Sequence, residues 1–270
     1  APWLFAEDLL YRVTVFLVTT IEPERIYRII HQPAAQQHPL TDLMIVLPDS
    51  MQKKQFSEYE TLIEAGCSLG TQLSFSLHQA SHVNTAVKEG HVFYSLVCTQ
   101  ENLMYWSEEK EWPITPEEKV KEIRQHAWEQ FQNSFSKAEI FLQQATQCML
   151  QQNNKLTAFF LQQAAELCCR AILISLTGRD KKTHSIAALK KTCRRCTAAV
   201  EEAFPNYTEE EKRLLKILDD AYIAARYEDD FSHEEENVRR IAVEFAILIA
   251  RFPVAFKTAF KRILKLPLSP

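Results

Sequence analysis

The sequence predicts an α+β protein in two parts, a small α/β domain over residues 1–115 and an all-helical bundle over residues 116–270. Three observations carry this. Short aliphatic runs with strand-like alternation occur in the first part and not in the second. Apolar residues recur at spacings of three and four through the second part. Between them, Trp112-Pro113-Ile114-Thr115-Pro116 sets two prolines within five residues, which breaks any regular element, and Glu117 and Glu118 then suit a helix N-terminus.

Taken in order, residues 1–18 read as a short helix or arm. Ile26–Ile30 and Asp42–Leu47 are strand candidates, the second rich in aliphatics and closed by Pro48-Asp49. Ser57–Cys67 fits a helix with Tyr59, Leu62 and Ile63 on one face, and Leu73–His78 alternates like a half-buried strand. Val83–Glu89 reads as a helix capped by Gly90, and His91–Cys98 as a further strand. The order β-β-α-β-α-β is that of a small α/β unit.

In the second part, Val120, Ile123, Ala127, Phe131, Phe135, Ala138, Leu142, Ala145 and Met149 form one apolar stripe. That stripe predicts a long amphipathic helix of about 50 Å. Leu156–Leu176 is apolar over most of its circumference, with one polar line at Gln162, Glu166 and Arg170, as a central bundle helix would be. Gly178 ends it. Ser185–Val200 is a third helix. Thr208 caps a fourth, with Glu211 completing a capping box. Glu234–Phe252 is a fifth, limited by Pro253, and residues 254–265 form a last short helix. The tail Arg251–Lys265, with Lys257, Lys261, Arg262 and Lys265, reads either as a basic amphipathic helix for a membrane or nucleic acid or, in preference, as packed on the bundle with its charges in solvent. No internal repeat stands out.

Composition narrows the function. Hydrophobic residues are 46% and charged residues 24%, an ordinary globular balance. Only 4 glycines are present, which disfavours a phosphate-cradling loop. Residues 1–115 hold 7 basic and 14 acidic residues, a net of −7, whereas the rest carries +3. A nucleic-acid groove is therefore disfavoured in the first part and permitted in the second. The 7 cysteines make an odd count, with Cys168 and Cys169 adjacent, which points to a reducing, cytoplasmic setting. The opening stretch is broken by Glu7, Asp8 and Arg12, so no signal peptide or membrane span is expected there. The first residue is not Met, so the natural start is expected to lie upstream.

Four segments of the helical part resemble the HEPN family: AAELCCRAILISLTG, THSIAALKK, DDAYIAARYEDDF and RRIAVEFAILIARF. The third is the most specific, because it follows the family's Y..aRY signature. The resemblance covers roughly residues 117–255 and implies an antiparallel helical bundle that dimerises. HEPN domains are often fused to minimal nucleotidyltransferases, and the first part is similar to such a domain over roughly residues 20–110. That family places Gly-Ser after its first strand, Asp-x-Asp at the start of its second, and a third Asp on a later strand, to hold two metals. Here His31-Gln32 follows the first strand, Leu40 stands in place of the first Asp, Asp42 fits the second, and Leu73–His78 has no carboxylate. The resemblance thus implies a nucleotidyltransferase-like fold with Asp42 as a relic, no metal, no cofactor and no transfer chemistry.

Many HEPN domains are metal-independent ribonucleases with an Arg-x4-6-His motif, an arginine to stabilise phosphorane charge and a histidine for proton transfer. Arg226 and His233 fit that spacing, and Arg179 with His184 fits it in a loop. The acidic surroundings of His233 (Glu228, Asp229, Asp230, Glu234, Glu235 and Glu236) oppose an RNA backbone. The other branch of the family binds nucleotides or polyanions in a dimer groove. Arg170, Lys182, His184, Lys190, Lys191, Arg226 and Tyr227 are the candidates for that groove, against the alternative that Lys190, Lys191, Arg194 and Arg195 form a solvated face. Cys193 and Cys196 form a lone C-x-x-C, which a zinc site does not satisfy. Trp106, Trp112 and Trp128 cluster near the boundary and are expected to pack there. The resulting expectation is a non-catalytic, homodimeric module that binds a nucleotide or RNA and has no membrane span. The alternatives are a ribonuclease using Arg226 and His233, and a dimerisation scaffold.

Overall fold

The computed structural model describes residues 2–31, 40–50, 58–63, 73–107, 111–194, 196–197, 200, 204, 208–227, 257–258, 260–261 and 263–265. Two compact units emerge, one of residues 1–32 and 36–123, the other chiefly of Arg124–Pro270.

In the first unit the elements are α1 (Pro2–Ile21), β1 (Arg25–His31), β2 (Leu40–Leu47), β3 (Leu73–Gln79), α2 (Ala80–Glu89), α3 (Val92–Val97) and β4 (Leu103–Trp106), with residues 58–63 also helical. The sheet order is β3-β2-β1-β4. The β1–β2 and β1–β4 pairs are antiparallel, while β2 and β3 run parallel with Asp42 beside Ser74. Side chains alternate across β2. Leu43, Ile45 and Leu47 pack with Val13, Leu17 and Ile21 of α1. Met44 and Val46 pack on the other face with Val83 and Val87 of α2 and Tyr94 and Val97 of α3. A strand covered on both faces must be apolar throughout, which is why β2 reads as a continuous aliphatic run.

In the first unit two features differ from the sequence expectation, and in the second the helix expected over Ser185–Val200 is confined to Ile186–Cys193, with Thr197 outside any helix. His91–Cys98 is not a strand: Val92–Val97 is a short helix. Its buried residues Tyr94, Val97 and Cys98 lie at i, i+3 and i+4, one side of a helical turn. The fourth strand is instead Leu103–Trp106. The predicted helix end at Gly90 is present: Gly90 has φ of 78° and its N–H donates to the carbonyls of Ala86 and Val87, a conformation that glycine adopts without steric cost.

The second unit is built on α4 (Glu117–Leu150), α5 (Asn154–Thr177), α6 (Ile186–Cys193) and α7 (Glu209–Tyr227). The apolar stripe of α4 is buried at Ala127, Phe131, Phe135, Ala138, Leu142 and Ala145. Phe131 stacks on Phe260 at 4.1 Å between centroids, and Trp128 lies against both rings. Trp128 is therefore core to this unit, whereas Trp106 and Trp112 meet each other in the first at 4.8 Å. Phe260 and Leu264 are buried while Lys257 pairs with Glu139 at 2.6 Å, so the described tail residues pack on the bundle. The helix α5 contains a stretch, Lys155–Thr177, long and apolar enough to cross a membrane, but 67% of its apolar window is buried inside the protein. The Thr208–Glu211 capping box forms as expected, each residue's amide donating to the other's side chain at 2.8 and 3.2 Å. The predicted helix 234–252 lies outside the described residues.

Candidate functional site

The polar line of α5 is the framework of the site. Asn153 caps the helix by accepting from the Leu156 amide at 3.1 Å. Four-residue spacing then stacks Gln162, Glu166 and Arg170 on one side. Gln162 and Glu166 are buried inside an otherwise apolar helix, so both need partners. Those partners come from the loop that follows Gly178, which has φ of 64° and turns the chain out of the helix.

Arg170 is the hub. Its Nε donates to Glu166 Oε1 at 2.9 Å, one terminal nitrogen pairs with Asp180, and the other donates to the Thr183 carbonyl at 2.9 Å. Gln162 donates to the His184 carbonyl at 2.9 Å, and the His184 Nδ1 lies 3.1 Å from Glu166 Oε2. Burial works against the Arg170 charge, but hydrogen bonds and charges from Glu166 and Asp180 outweigh it and push its pKa up. The loop is thus fixed at both carbonyls, while the side chains of Arg179, Lys182 and His184 remain exposed.

The N-terminus of α6 adds a second constraint. Ser185 caps it by accepting from the Ala188 amide at 3.2 Å and donates to Asp219 Oδ2 at 2.9 Å. Asp219 also takes the Ile186 amide. A helix N-terminus is a ready anion site; here a carboxylate of α7 already occupies it. Asp219 opens the segment DDAYIAARYEDDF, and its role is not legible in the sequence, since an Asp within an acidic run has no periodic signature.

The sequence-predicted residues divide as follows. Arg170 and His184 come together through Glu166, and Lys182 and Lys191 are exposed near them along the chain. Lys190 is only 3% exposed, so it neither belongs to a solvated face nor offers its charge to an open groove. It falls on the inner side of α6 with Ile186, Leu189 and Cys193. Arg226 and Tyr227 end the backbone of α7, but their side chains lie outside the described part, as does His233 entirely. Cys193 and Cys196 are both buried thiols. Among the described residues no cluster of three His, Cys, Asp or Glu side chains could hold a metal.

In the first unit Asp42 is fully buried and accepts from the Ser74 hydroxyl at 2.8 Å. Along the same face of β3, Ser76 lies 2.9 Å from His78 Nε2, and His78 Nδ1 is 3.0 Å from the Tyr94 hydroxyl. This polar row has no sequence signal, because single serines and histidines in an alternating strand carry no motif.

In comparison with known families, residues 131–255 match the HEPN domain. No curated protein matches the chain.

Proposed function

We propose that the protein is a non-catalytic, RNA-related binding or regulatory module. In this reading it takes a nucleotide or RNA on the loop between α5 and α6 and pairs with a second copy through its HEPN helices. HEPN domains are linked to RNA-related functions and commonly dimerise. The observation that carries the reading is the brace beneath the loop. Arg170 and Gln162 fix the Thr183 and His184 carbonyls, and Arg170 neutralises Asp180, so Arg179, Lys182 and His184 present positive or polar groups to solvent. Cations on a fixed backbone suit phosphate contacts.

The first unit supports an inactive nucleotidyltransferase-like reading. A two-metal site needs several carboxylates converging on water-accessible ions. Asp42 is instead buried against a hydroxyl, and β3 (Leu73–Gln79) contains no carboxylate.

The test is fluorescence anisotropy of a labelled single-stranded RNA with chelator present, for the parent and an Arg179→Ala/Lys182→Ala variant. The expected outcome is salt-sensitive binding that weakens in the variant. The log–log salt slope should become shallower by about 1 for each phosphate that is no longer neutralised. Unchanged affinity and slope would remove the loop from the reading. Cleavage of the RNA that disappears in both Arg226→Ala and His233→Ala would replace the reading with the ribonuclease one.

A further inference from the structure

Where β1 begins and β4 ends, the first unit contains a cavity of about 300 Å³. Its wall includes Trp106, Trp112, Tyr105, Glu22, Glu24 and Arg25, with Glu111 beside Trp112. None of these residues takes part in the loop between α5 and α6.

The aromatic part of the wall is a corner. The Trp106 and Trp112 rings meet at 4.8 Å between centroids with their planes 68° apart. A flat base stacks between parallel platforms, and two rings crossing at this angle leave no such slot. Both indoles line the cavity, and an indole ring attracts a compact cation. One cation already uses this chemistry, since the Arg25 guanidinium carbon lies 6.0 Å from the Trp112 centroid.

The charges select the sign of the ligand. Arg25 is only 3% exposed and is spoken for by the Asn84 side-chain oxygen at 2.8 Å and the Glu24 carboxylate at 3.9 Å. Glu22 and Glu111 have no such partner among the described residues. Val18 and Glu22 also bring the C-terminal end of α1, the negative end of its dipole, to the cavity. An anion would meet two unpaired carboxylates and a helix C-terminus; a cation would be favoured by all three.

The backbone of Glu22 bears on the choice of test variant. Its φ is 50°, the left-handed region that an L side chain rarely adopts and where glycine is the usual residue after a helix. The chain keeps a carboxylate where glycine would relieve the backbone.

We infer that this cavity binds a small organic cation, an alkylated ammonium group held on the Trp106–Trp112 corner and balanced by Glu22 and Glu111. Its volume falls at the small end of ligand pockets, which suits one head group, whether of a free amine or of an alkylated lysine side chain.

Isothermal titration calorimetry on the full chain tests this with three probes: choline, its uncharged isostere 3,3-dimethylbutan-1-ol, and a short peptide carrying trimethyllysine. The expected result is saturable binding of a cation, with the alcohol roughly tenfold weaker. Tighter binding of the peptide than of choline identifies a lysine source; the reverse identifies a free amine. Glu22→Gly is expected to weaken cation binding while its thermal midpoint holds or rises, which separates loss of the site from loss of the fold. The proposal is overturned if the alcohol binds as well as choline, if neither cation binds up to tens of millimolar, or if Glu22→Gly leaves cation binding unchanged.

Discussion

At the scale of single residues, burial sets the chemistry of the thiols. Cys98 is pushed up to about 12 by burial, and burial likewise lifts Cys168. Cys193 is raised first by its hydrogen bond with Cys169 and then by burial. Thiolate is the reactive form, so these groups stay unreactive while the protein is folded. A chromogenic disulfide reagent at about pH 8 should leave them unlabelled until denaturant is added. Rapid labelling of the folded chain at these positions would contradict their burial. The same shifts tie stability to pH. The folded protein holds these protons more tightly than the unfolded chain, whose thiols ionise near 9.0. Their contribution is therefore complete below that value and is lost as pH climbs above it, toward about 12 for Cys98. Thermal midpoints should fall across that alkaline window and not across neutral pH.

At the scale of elements, helix ends are the most legible part of the sequence, because capping chemistry is local. Gly90, Gly178 and Thr208 act where the sequence places them, and Ser185, expected as the first helical residue, is the cap just before it. Gly178 offers a clean measurement. No atom lies within 4 Å of an added Cβ there, so the only penalty is its left-handed backbone. Gly178→Ala should cost about 1 kcal/mol in chemical denaturation, and a neutral result would mean the loop re-forms without that turn. The strand–helix confusion at His91–Cys98 has a physical source. Eight residues of mixed apolar and aromatic character satisfy both a period of two and one turn of helix. Packing of Tyr94 and Val97 against Tyr27 and Met44 selects the helix, a tertiary effect that local sequence does not contain. The four-residue strand Leu103–Trp106 is hidden for the opposite reason, being too short to show alternation. The site is half legible. Gln162, Glu166 and Arg170 stand out as a polar line, but Lys190 looks equivalent to Lys191, and only the packing of α6 separates the buried lysine from the exposed one.

At the scale of the whole molecule, charge is distributed unevenly along the chain, with −7 in residues 1–115 and +3 after them. The HEPN match, residues 131–255, is itself neutral, with 17 basic and 17 acidic residues. Self-association is the matching prediction. Ile140, Leu150 and Leu156 leave apolar side chains exposed on α4 and α5, an arrangement suited to burial against a second copy. Sedimentation velocity should find a species of twice the 31.3 kDa chain mass, and Ile140→Arg should shift it toward monomer. A monomer at all concentrations would refute the pairing. The sheet has a further consequence for how the chain is made. β1 is paired on one side by β2, which follows it closely, but on the other by β4, where Arg25 meets Trp106. As the polypeptide leaves the ribosome, β1 therefore keeps a bare edge until residue 106 has cleared the exit tunnel. An unpaired edge can capture a neighbouring chain, and non-local pairing of this kind closes slowly. Translation of residues 47–106 is thus an interval in which the nascent sheet is open to capture and a chaperone would shield it.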